Sequence, residues 1–257
     1  MAQDTDVLSI DRKGTIVHLT LNRPEKRNAL NDATIAALDA FFSNVPDAAR
    51  AIVIGGAGGH FSSGLDLSEQ VRREPLEVMA HSRNWHRVME SIQYARVPVV
   101  AALNGAVMGG GLELAAACHV RVAEENVQFR MPEGMRGIFV GGGGSVRIAK
   151  LIGDDRLMEM MLTGRIYSSA EGERIGLAHY ALSEGSAIDK AFELAERIAE
   201  NSPTINQFII HAMSRISTMP PEAGLYAESL AAALSQTGPD AEEGLNAFLQ
   251  KRKPVFR

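Results

Sequence analysis

Hydrophobic and polar residues alternate along the first part of the chain. Residues 7–10 and 16–21 have the alternation of two β-strands, and Arg12-Lys13-Gly14 between them is typical of a turn. Asn31 or Asp32 can cap the helix that follows. That helix is indicated by apolar residues at helical spacing: Ile35, Leu38, Phe41 and Phe42. The pattern therefore predicts a strand pair followed by a helix.

Strands and helices then alternate up to residue 123. Short apolar runs predict buried strands, a Gly/Ser-rich stretch predicts a loop, and a helical period before Pro98 predicts a long helix. The predicted order is strand 51–54, loop 55–67, helix 76–94, strand 97–103, helix 112–118 and strand 120–123.

The second half of the chain changes character, because nearly every segment after Gly144 has a helical period. The predicted helices are 145–152, 155–163, 169–176, 187–200, 203–216, 220–236 and 240–251. The chain thus reads as an α/β protein, with a core in residues 1–190 and a helical C-terminal region in residues 191–257.

Composition narrows the class of protein. The 257 residues carry a net charge of −5, which disfavours a nucleic-acid-binding surface. A membrane-spanning run is not visible, and neither is a secretory signal. The single cysteine, Cys118, excludes an intrachain disulfide and makes a cysteine-based metal site unexpected. We therefore expect a cytoplasmic protein with no bound metal and no membrane partner.

Two glycine-containing segments lie between a predicted strand and a predicted helix: Ser63-Gly64-Leu65-Asp66 and Gly109-Gly110-Gly111-Leu112-Glu113. N–H groups at such positions can bind anions, and two that converge form an oxyanion hole. The alternative is an ordinary tight turn at each place. The GxGxxG, GxxxxGK[ST] and GxSxG patterns are absent, so dinucleotide, phosphate-loop and serine-hydrolase sites are not supported.

Glu113 and Glu133 lie in apolar sequence contexts, Glu113 between Leu112 and Leu114 and Glu133 two residues before Met135. Each carboxylate alone could be exposed or salt-bridged, because glutamate is seldom buried. If both are buried in one pocket, desolvation and mutual repulsion raise their pKa values and couple their titrations. Such a pair can hold a water molecule and exchange protons with a substrate carbon.

With these residues in view, the sequence resembles the crotonase, or enoyl-CoA hydratase/isomerase, superfamily almost from end to end. The motifs that carry the resemblance are LNRPEKRNAL (21–30), GGHFSSGLDL (58–67), PVVAALNGAVMGGGLELAAACHVRVA (98–123), FRMPEGMRGIFVGGGGSVRIAKLIG (129–153), MLTGRIYSSAEGERIGL (161–177) and EEGLNAFLQKRKPVF (242–256). The resemblance implies a spiral of ββα units with a helical trimerisation region, and acyl-CoA chemistry without metal or redox cofactor.

The resemblance also implies roles for individual residues. The backbone N–H groups of Leu65 and Gly110 match the oxyanion-hole donors. Glu113 and Glu133 match the two glutamates of the family hydratases, in which one activates water for C3 and the other protonates C2. The implied substrate-binding residues are Lys26, Arg27, Ala29, Ser63, Gly64, Asp66, Leu67, Gly141 and Lys251. In this interpretation, Lys251 or Lys253 reaches CoA from a neighbouring subunit.

The expected function is therefore syn hydration of a 2-enoyl-CoA by a trimer or a hexamer, with CoA as part of the substrate. Val140 and Leu65 depart from the residues common in the family, and Arg136 and Phe139 lie near the expected acyl region. These departures leave the acyl group open. The alternatives are a hydratase specialised for a substituted acryloyl-CoA such as methylthioacryloyl-CoA, a Δ3-Δ2-enoyl-CoA isomerase, and a non-catalytic acyl-CoA- or RNA-binding crotonase.

Overall fold

A computed structural model describes residues 5–69 and 71–256. The strands are β1 (Leu8–Lys13), β2 (Ile16–Leu21), β3 (Ala51–Gly56), β4 (Val99–Leu103), β5 (Ala106–Met108), β6 (Val120–Glu124), β7 (Gln128–Arg130), β8 (Ile166–Ser168) and β9 (Tyr180–Leu182). The helices are α1 (Asp32–Phe42), α2 (Pro75–Gln93), α3 (Gly110–Ala117), α4 (Glu133–Arg136), α5 (Gly144–Ile152), α6 (Asp154–Thr163), α7 (Ser169–Ile175), α8 (Ala187–Ala199), α9 (Pro203–Phe208), α10 (Ser214–Ile216), α11 (Pro221–Gln236) and α12 (Pro239–Leu249).

The strands form two sheets. The larger has the order β1-β2-β3-β4-β6-β9, with β1 antiparallel to β2 and the later pairs parallel. The smaller has the order β5-β7-β8, with β5 parallel to β7 and β7 antiparallel to β8. Because the large sheet is mostly parallel, the carboxyl ends of β2, β3, β4 and β6 lie along one edge.

The chain passes repeatedly from the large sheet to the small one and then into a helix. β4 leads into β5 and α3, and β6 leads into β7 and α4. The turn after β3 follows the same path with less regular structure, since Ser62 forms a parallel bridge with Val107 of β5 before α2 begins. Successive ββα units of this kind build the expected crotonase-like spiral.

Both faces of the large sheet are buried. On β3, Ile52 and Ile54 join the main core, whereas Ala51 and Val53 face the opposite side. That opposite side is covered by α8 through its small residues Ala187, Ala191 and Ala195. The cysteine, Cys118, is buried in the main core at the end of α3. The sheet is therefore a rigid support for the loops at its carboxyl edge.

The C-terminal helices expose many large apolar side chains. They include Ile209, Met213, Leu225, Tyr226, Leu230, Leu234, Leu245, Phe248 and Leu249. Between α9 and α10 the helical path continues through a π-helical turn over Ile209–Met213. Within the described ranges, no helix is both long and apolar enough to cross a membrane.

The long predicted elements agree with the structure, and the differences concern short ones. β5, β7, β8 and β9 are three-residue strands that periodicity did not indicate. The second half of the chain is therefore not purely helical. The predicted helix 203–216 is α9, the π turn and α10 in succession. The predicted domain boundary near residue 190 falls inside α8, and a division into two domains there stays a prediction.

Candidate active site

Two loops at the carboxyl edge of the sheet are held together around Leu65. Leu30 N donates to Gly64 O at 2.7 Å, and Asp66 N donates to Leu30 O at 2.9 Å. The Leu65 N–H between these two bonds has no acceptor among residues 5–69 and 71–256. Gly64 has φ +92°, and a Cβ there would lie 2.6 Å from the carbonyl oxygen of Met108. Glycine is thus required for the turn that presents the Leu65 N–H.

The second free N–H belongs to Gly110, the first residue of α3. In the part of the chain that the structure describes it has no acceptor, as expected for the first turn of a helix. The two donors are close, because a Cβ built on Gly110 would lie 3.4 Å from Leu65 N. The partial positive charge of the α3 N-terminus adds to both N–H dipoles. Together they form a site for an oxygen that carries negative charge.

Glu113 lies one turn along α3 from Gly110 and is buried, with 3% of its surface exposed. Its Oε1 accepts hydrogen bonds from Gly142 N at 2.9 Å and from Gly144 N at 2.7 Å. Burial raises the pKa of Glu113, while these two N–H donors and the nearby Arg147 guanidinium act in the opposite direction. Glu113 is therefore a buried carboxyl group whose pKa is raised by desolvation and whose Oε1 is held in place by two N–H donors that partly offset this effect.

Glu133 begins α4 and is also buried, with 7% exposed. Its Oε1 lies beside the backbone that precedes Gly110, since a Cβ at Gly109 would be 2.9 Å from it. Its Oε2 has no hydrogen-bond partner among the described residues. Burial raises the pKa of Glu133 to about 7, Glu133's own N–H opposes the shift, and the charge of Glu113 adds to it. The two acids are therefore close enough to act on each other electrostatically.

The indole ring of Trp85, on α2, forms a wall of this site. A Cβ at Gly110 would lie 2.9 Å from Trp85 Cζ3, and a Cβ at Gly142 would lie 3.2 Å from Trp85 Cε3. The ring thus packs between the second N–H donor and the loop that holds Glu113. Sequence reasoning missed Trp85, because an aromatic residue on a helical face is equally typical of a core position.

The expected CoA-contacting residues come together in the loop pair beside Leu65. Ser63 N donates to Arg27 O at 2.9 Å, and Ser63 Oγ donates to Lys26 O at 3.2 Å. Lys26 and Arg27 are exposed, as phosphate-contacting cations must be, and Leu67 is exposed as well. Ala29 is buried next to them.

Asp66 is not available to a ligand through its carboxylate. It accepts from Arg23 Nη2 at 2.8 Å and from Ser68 Oγ at 2.6 Å, and its own N–H is bonded to Leu30 O. Arg23 also donates to Ala29 O at 2.7 Å. The Arg23–Asp66 pair therefore ties the two loops together, a role that sequence reasoning did not assign.

The tail cations lie elsewhere on this chain. Lys253 Nζ is 3.2 Å from Glu200 Oε1, and Arg50, at the amino end of β3, donates to Phe256 O. β3 has six residues and spans about 17 Å, and the free N–H groups lie beyond its other end. A contact of Lys251 or Lys253 of a neighbouring subunit with bound CoA stays a prediction.

Gly141, the remaining expected binding residue, accepts from Ser82 Oγ at 2.7 Å. It begins the loop whose next residues hold Glu113. The described ranges contain no cluster of three or more His, Cys, Asp and Glu that could hold a metal ion. The expectation of no metal and no cofactor stays a prediction.

Comparison with known proteins gives the family. The model of the Enoyl-CoA hydratase/isomerase family matches residues 11–257. The chain belongs to this family. It is 33% identical to the 2,3-dehydroadipyl-CoA hydratase of Escherichia coli strain K12, over 97% of this chain and 98% of that protein. It is 29% identical to the short-chain-enoyl-CoA hydratase of Clostridium acetobutylicum, over 95% of each chain.

Solved structures agree with the family assignment. The enoyl-CoA hydratase of Bacillus anthracis is 32% identical, with a TM-score of 0.91 over 97% of this chain and 98% of that one. A solved chain from Rhodopseudomonas palustris, described as of the same kind, is 51% identical, with a TM-score of 0.94 over 98% and 97%. The expected fold, family and enzyme class, that of the enoyl-CoA hydratases, are confirmed.

Proposed function

We propose that this enzyme adds water in syn fashion across the C2=C3 bond of a 2-enoyl-CoA thioester. The observation that carries the proposal is the meeting of two unpaired backbone N–H groups with two buried carboxylates at one edge of the sheet. Neither pair suffices alone, because hydration needs both a stabilised enolate oxygen and two proton transfers.

The N–H groups of Leu65 and Gly110 receive the thioester carbonyl oxygen. Water adding at C3 pushes electron density through C2 onto this oxygen, and the two donors stabilise the charge that develops there. Because both donors are main-chain groups fixed by the loop pair and by α3, they need no reorganisation during the reaction.

The two carboxylates divide the proton transfers. Glu113, whose ionised form is supported by two N–H donors, takes a proton from the water whose oxygen bonds to C3. Glu133, with a pKa raised to about 7, is protonated often enough at neutral pH to give a proton to C2. The product is the 3-hydroxyacyl-CoA, and the cycle is completed when Glu113 loses its proton and Glu133 regains one, either directly between the two acids or through solvent.

The CoA moiety is assigned to the loop pair 23–30 and 62–68. Lys26 and Arg27 offer exposed positive charge to its phosphates, and Ser63, Gly64, Asp66 and Leu67 border the thioester end through their backbone. Lys251 of a neighbouring subunit supplies a further cation in this proposal. Gly141 lies at the opposite side, beside Glu113.

The acyl tail is the less determined part of the substrate. The two relatives named above differ in the acyl group of the substrate after which each is named: 2,3-dehydroadipyl-CoA for one and a short-chain enoyl-CoA for the other. Trp85 limits the space next to the reacting carbons, and exposed Met135 and Phe139 follow Glu133 on the solvent side. This arrangement favours a small group at C3 or a tail directed along residues 135–139, and a substituted acryloyl-CoA fits the first case.

A panel of CoA thioesters tests the proposal. Loss of enoyl thioester absorbance, with a product heavier by one water, is expected for at least one 2-enoyl-CoA. The family model covers isomerases too, so a 3-enoyl-CoA belongs in the panel. Conversion of only the 3-enoyl compound would replace hydration by isomerisation. Binding of a labelled oligonucleotide that weakens with salt, with no turnover of any thioester, would favour the RNA-binding alternative.

The proposed assembly is a trimer, or a hexamer made of two trimers, in the cytoplasm. The apolar side chains exposed on α11 and α12 support self-association, since a monomer rarely leaves such a surface uncovered. A single buried thiol suits a reducing compartment. We assign no nucleic-acid, membrane or cofactor partner beyond the acyl-CoA substrate.

A further inference from the structure

Arg147 lies on α5 directly behind the loop that holds Glu113. Its Nη1 donates to Gly142 O at 3.2 Å, and its Nε donates to Gln93 Oε1 at 2.7 Å. Gly142 is the residue whose N–H donates to Glu113 Oε1 at 2.9 Å. The guanidinium and the carboxylate are therefore connected through one residue, with α2 fixing the guanidinium from the other side.

The positive charge of Arg147 is half-buried and has no salt-bridge partner within 5–69 and 71–256. The groups that act on it electrostatically are Glu90 of α2, Tyr94 directly after α2, and Glu113 of α3. On the same side, His86 of α2 has its pKa lowered by burial and by Arg147. Because a half-buried charge is screened less than an exposed one, Arg147 acts on neighbouring groups more strongly than a surface cation would.

Glu113 experiences that field. Burial raises the pKa of Glu113, and the N–H groups of Gly144 and Gly142 and the charge of Arg147 lower it. Glu133 on α4 lies near enough for the charge of Glu113 to raise the pKa of Glu133, and β5 contributes no titratable residue. Arg147 is thus the side chain that counters desolvation of Glu113.

We infer that Arg147 is a positioning residue for Glu113: it fixes the Gly142 carbonyl and keeps the carboxylate ionised and oriented for taking a proton from water. This inference rests on the proposed function only for the consequence in catalysis. The effect of Arg147 on the ionisation of Glu113 is a property of the free protein and can be measured without substrate. Arg147 touches neither substrate nor the reacting water in this assignment and acts through Glu113 alone.

Four variants test the inference. Arg147→Met removes both the charge and the donor, Arg147→Gln removes the charge and keeps an amide donor, and Arg147→Lys keeps the charge. Lys150→Met is the matched control, because Lys150 is a cation on the same helix that bonds Ser214 O and Ser217 Oγ instead. Each is measured for fold by circular dichroism, for the pH profile of kcat/KM, and for the Glu113 carboxyl titration by ¹³C NMR.

In Arg147→Met and Arg147→Gln, the Glu113 titration should move to higher pH by about one unit. The low-pH limb of the kcat/KM profile should move by the same amount. At a pH below the limb this is about a tenfold loss of kcat/KM, which shrinks at higher pH. Arg147→Lys should keep a limb close to wild type, and Lys150→Met should not move it. In a Glu113→Gln background, Arg147→Met should cause little further loss.

The outcomes separate the inference from the proposed function. If wild type hydrates no 2-enoyl-CoA, the proposed function fails, while the carboxyl titration still decides the electrostatic role of Arg147. If hydration is observed but a folded Arg147→Gln protein titrates like wild type, or loses activity equally at every pH, Arg147 is only a structural anchor. Should Arg147→Met not fold, the inference is tested by comparing Arg147→Gln, which removes the charge, with Arg147→Lys, which keeps it.

Discussion

Among single residues, the two buried glutamates differ in how they are held. Glu113 accepts two hydrogen bonds from another segment, whereas Glu133 has only its own N–H, and its Oε2 has no partner among the described residues. A carboxylate held by donors favours its charged form, and one left without them favours its proton. Burial raises the pKa of both carboxyl groups, and the hydrogen bonds to Glu113 are the contacts that favour it as the base and Glu133 as the acid.

Substitution of either acid by glutamine should abolish most of the activity. Glu113→Gln and Glu133→Gln keep side-chain size but cannot transfer a proton, so each should lower hydratase kcat by at least about 10²-fold. The double variant should be little worse than the worse single one, because the acids act as a unit. Both proteins should still bind a CoA thioester, measured by calorimetry. Near-wild-type hydration by Glu133→Gln would contradict the two-acid mechanism.

The pH dependence of the activity should be bell-shaped. Glu133 must be protonated to serve C2, and burial raises its pKa to about 7, so kcat should fall as pH rises beyond about 7. Glu113 must be ionised, so activity should also fall at low pH. A pH series of initial rates measures both limbs. A rate that stays constant from neutral to alkaline pH would show that Glu133 is not the proton donor.

Residues with a motif or an unusual context could be identified from the sequence, and residues defined by contacts could not. Glycine-rich turns and acids in apolar segments drew attention to the places of Glu113, Glu133, Leu65 and Gly110, and the family resemblance supplied their expected roles. Arg147 is important because its side chain donates to Gly142 O. The spacing of residues along the sequence does not show this contact. The sequence shows it as one of many cations on a helix.

At the scale of elements, the loop that presents Leu65 depends on one backbone conformation. Gly64→Ala would place a methyl group 2.6 Å from Met108 O at φ +92°. The loop must shift to relieve this contact, which should displace an oxyanion donor and lower kcat by about 10²-fold. Rates with a 2-enoyl-CoA, together with a thermal melt, measure the effect.

Gly59→Ala is the matched control in the same segment. Gly59 also has a positive φ, +83°, but a Cβ there meets nothing within 4 Å. It should therefore cost some stability and leave kcat nearly unchanged. Equal losses of kcat in both variants would show that general strain in the loop, and not the position of the Leu65 N–H, limits the reaction.

α2 was predictable because its apolar period repeats several times, and β3 and β4 were predictable because each contains a continuous apolar run. A three-residue strand such as β8 or β9 contains too few positions to show any period, and its pairing partner is distant in sequence. The small sheet, whose strands β5 and β7 precede α3 and α4, therefore could not be predicted from the sequence.

For the whole molecule, the C-terminal helices should bring three chains together. Leu230, Leu234, Leu245 and Phe248 are each at least half exposed on the single chain. Their burial against other subunits would remove apolar surface from water, so a trimer or hexamer mass is expected by sedimentation at micromolar concentration. A Leu234→Glu, Phe248→Glu variant should sediment as a smaller species. A monomeric wild-type protein would contradict the proposed assembly.

Lys251 tests whether the site is completed by a neighbour. It has no ion-pair partner in the described part of the chain, whereas Lys253 lies 3.2 Å from Glu200 Oε1. Lys251→Met should raise KM for the CoA thioester severalfold, more than it lowers kcat, and weaken the salt dependence of KM. Lys253→Met, which removes the other candidate cation of the tail, is measured in parallel. An unchanged KM in intact oligomers of both variants would show that the tail cations do not contact the ligand.

The buried position of Cys118 has a practical consequence. Burial raises the pKa of this thiol to about 12, and its Sγ lies against Leu114 O in the core. A thiol reagent should therefore leave the folded protein unmodified and react only when the core opens. The rate of labelling therefore reports how often the region around α3 opens. Cysteines introduced at the surface for fluorescent dyes or cross-linkers can be modified selectively with Cys118 left in place.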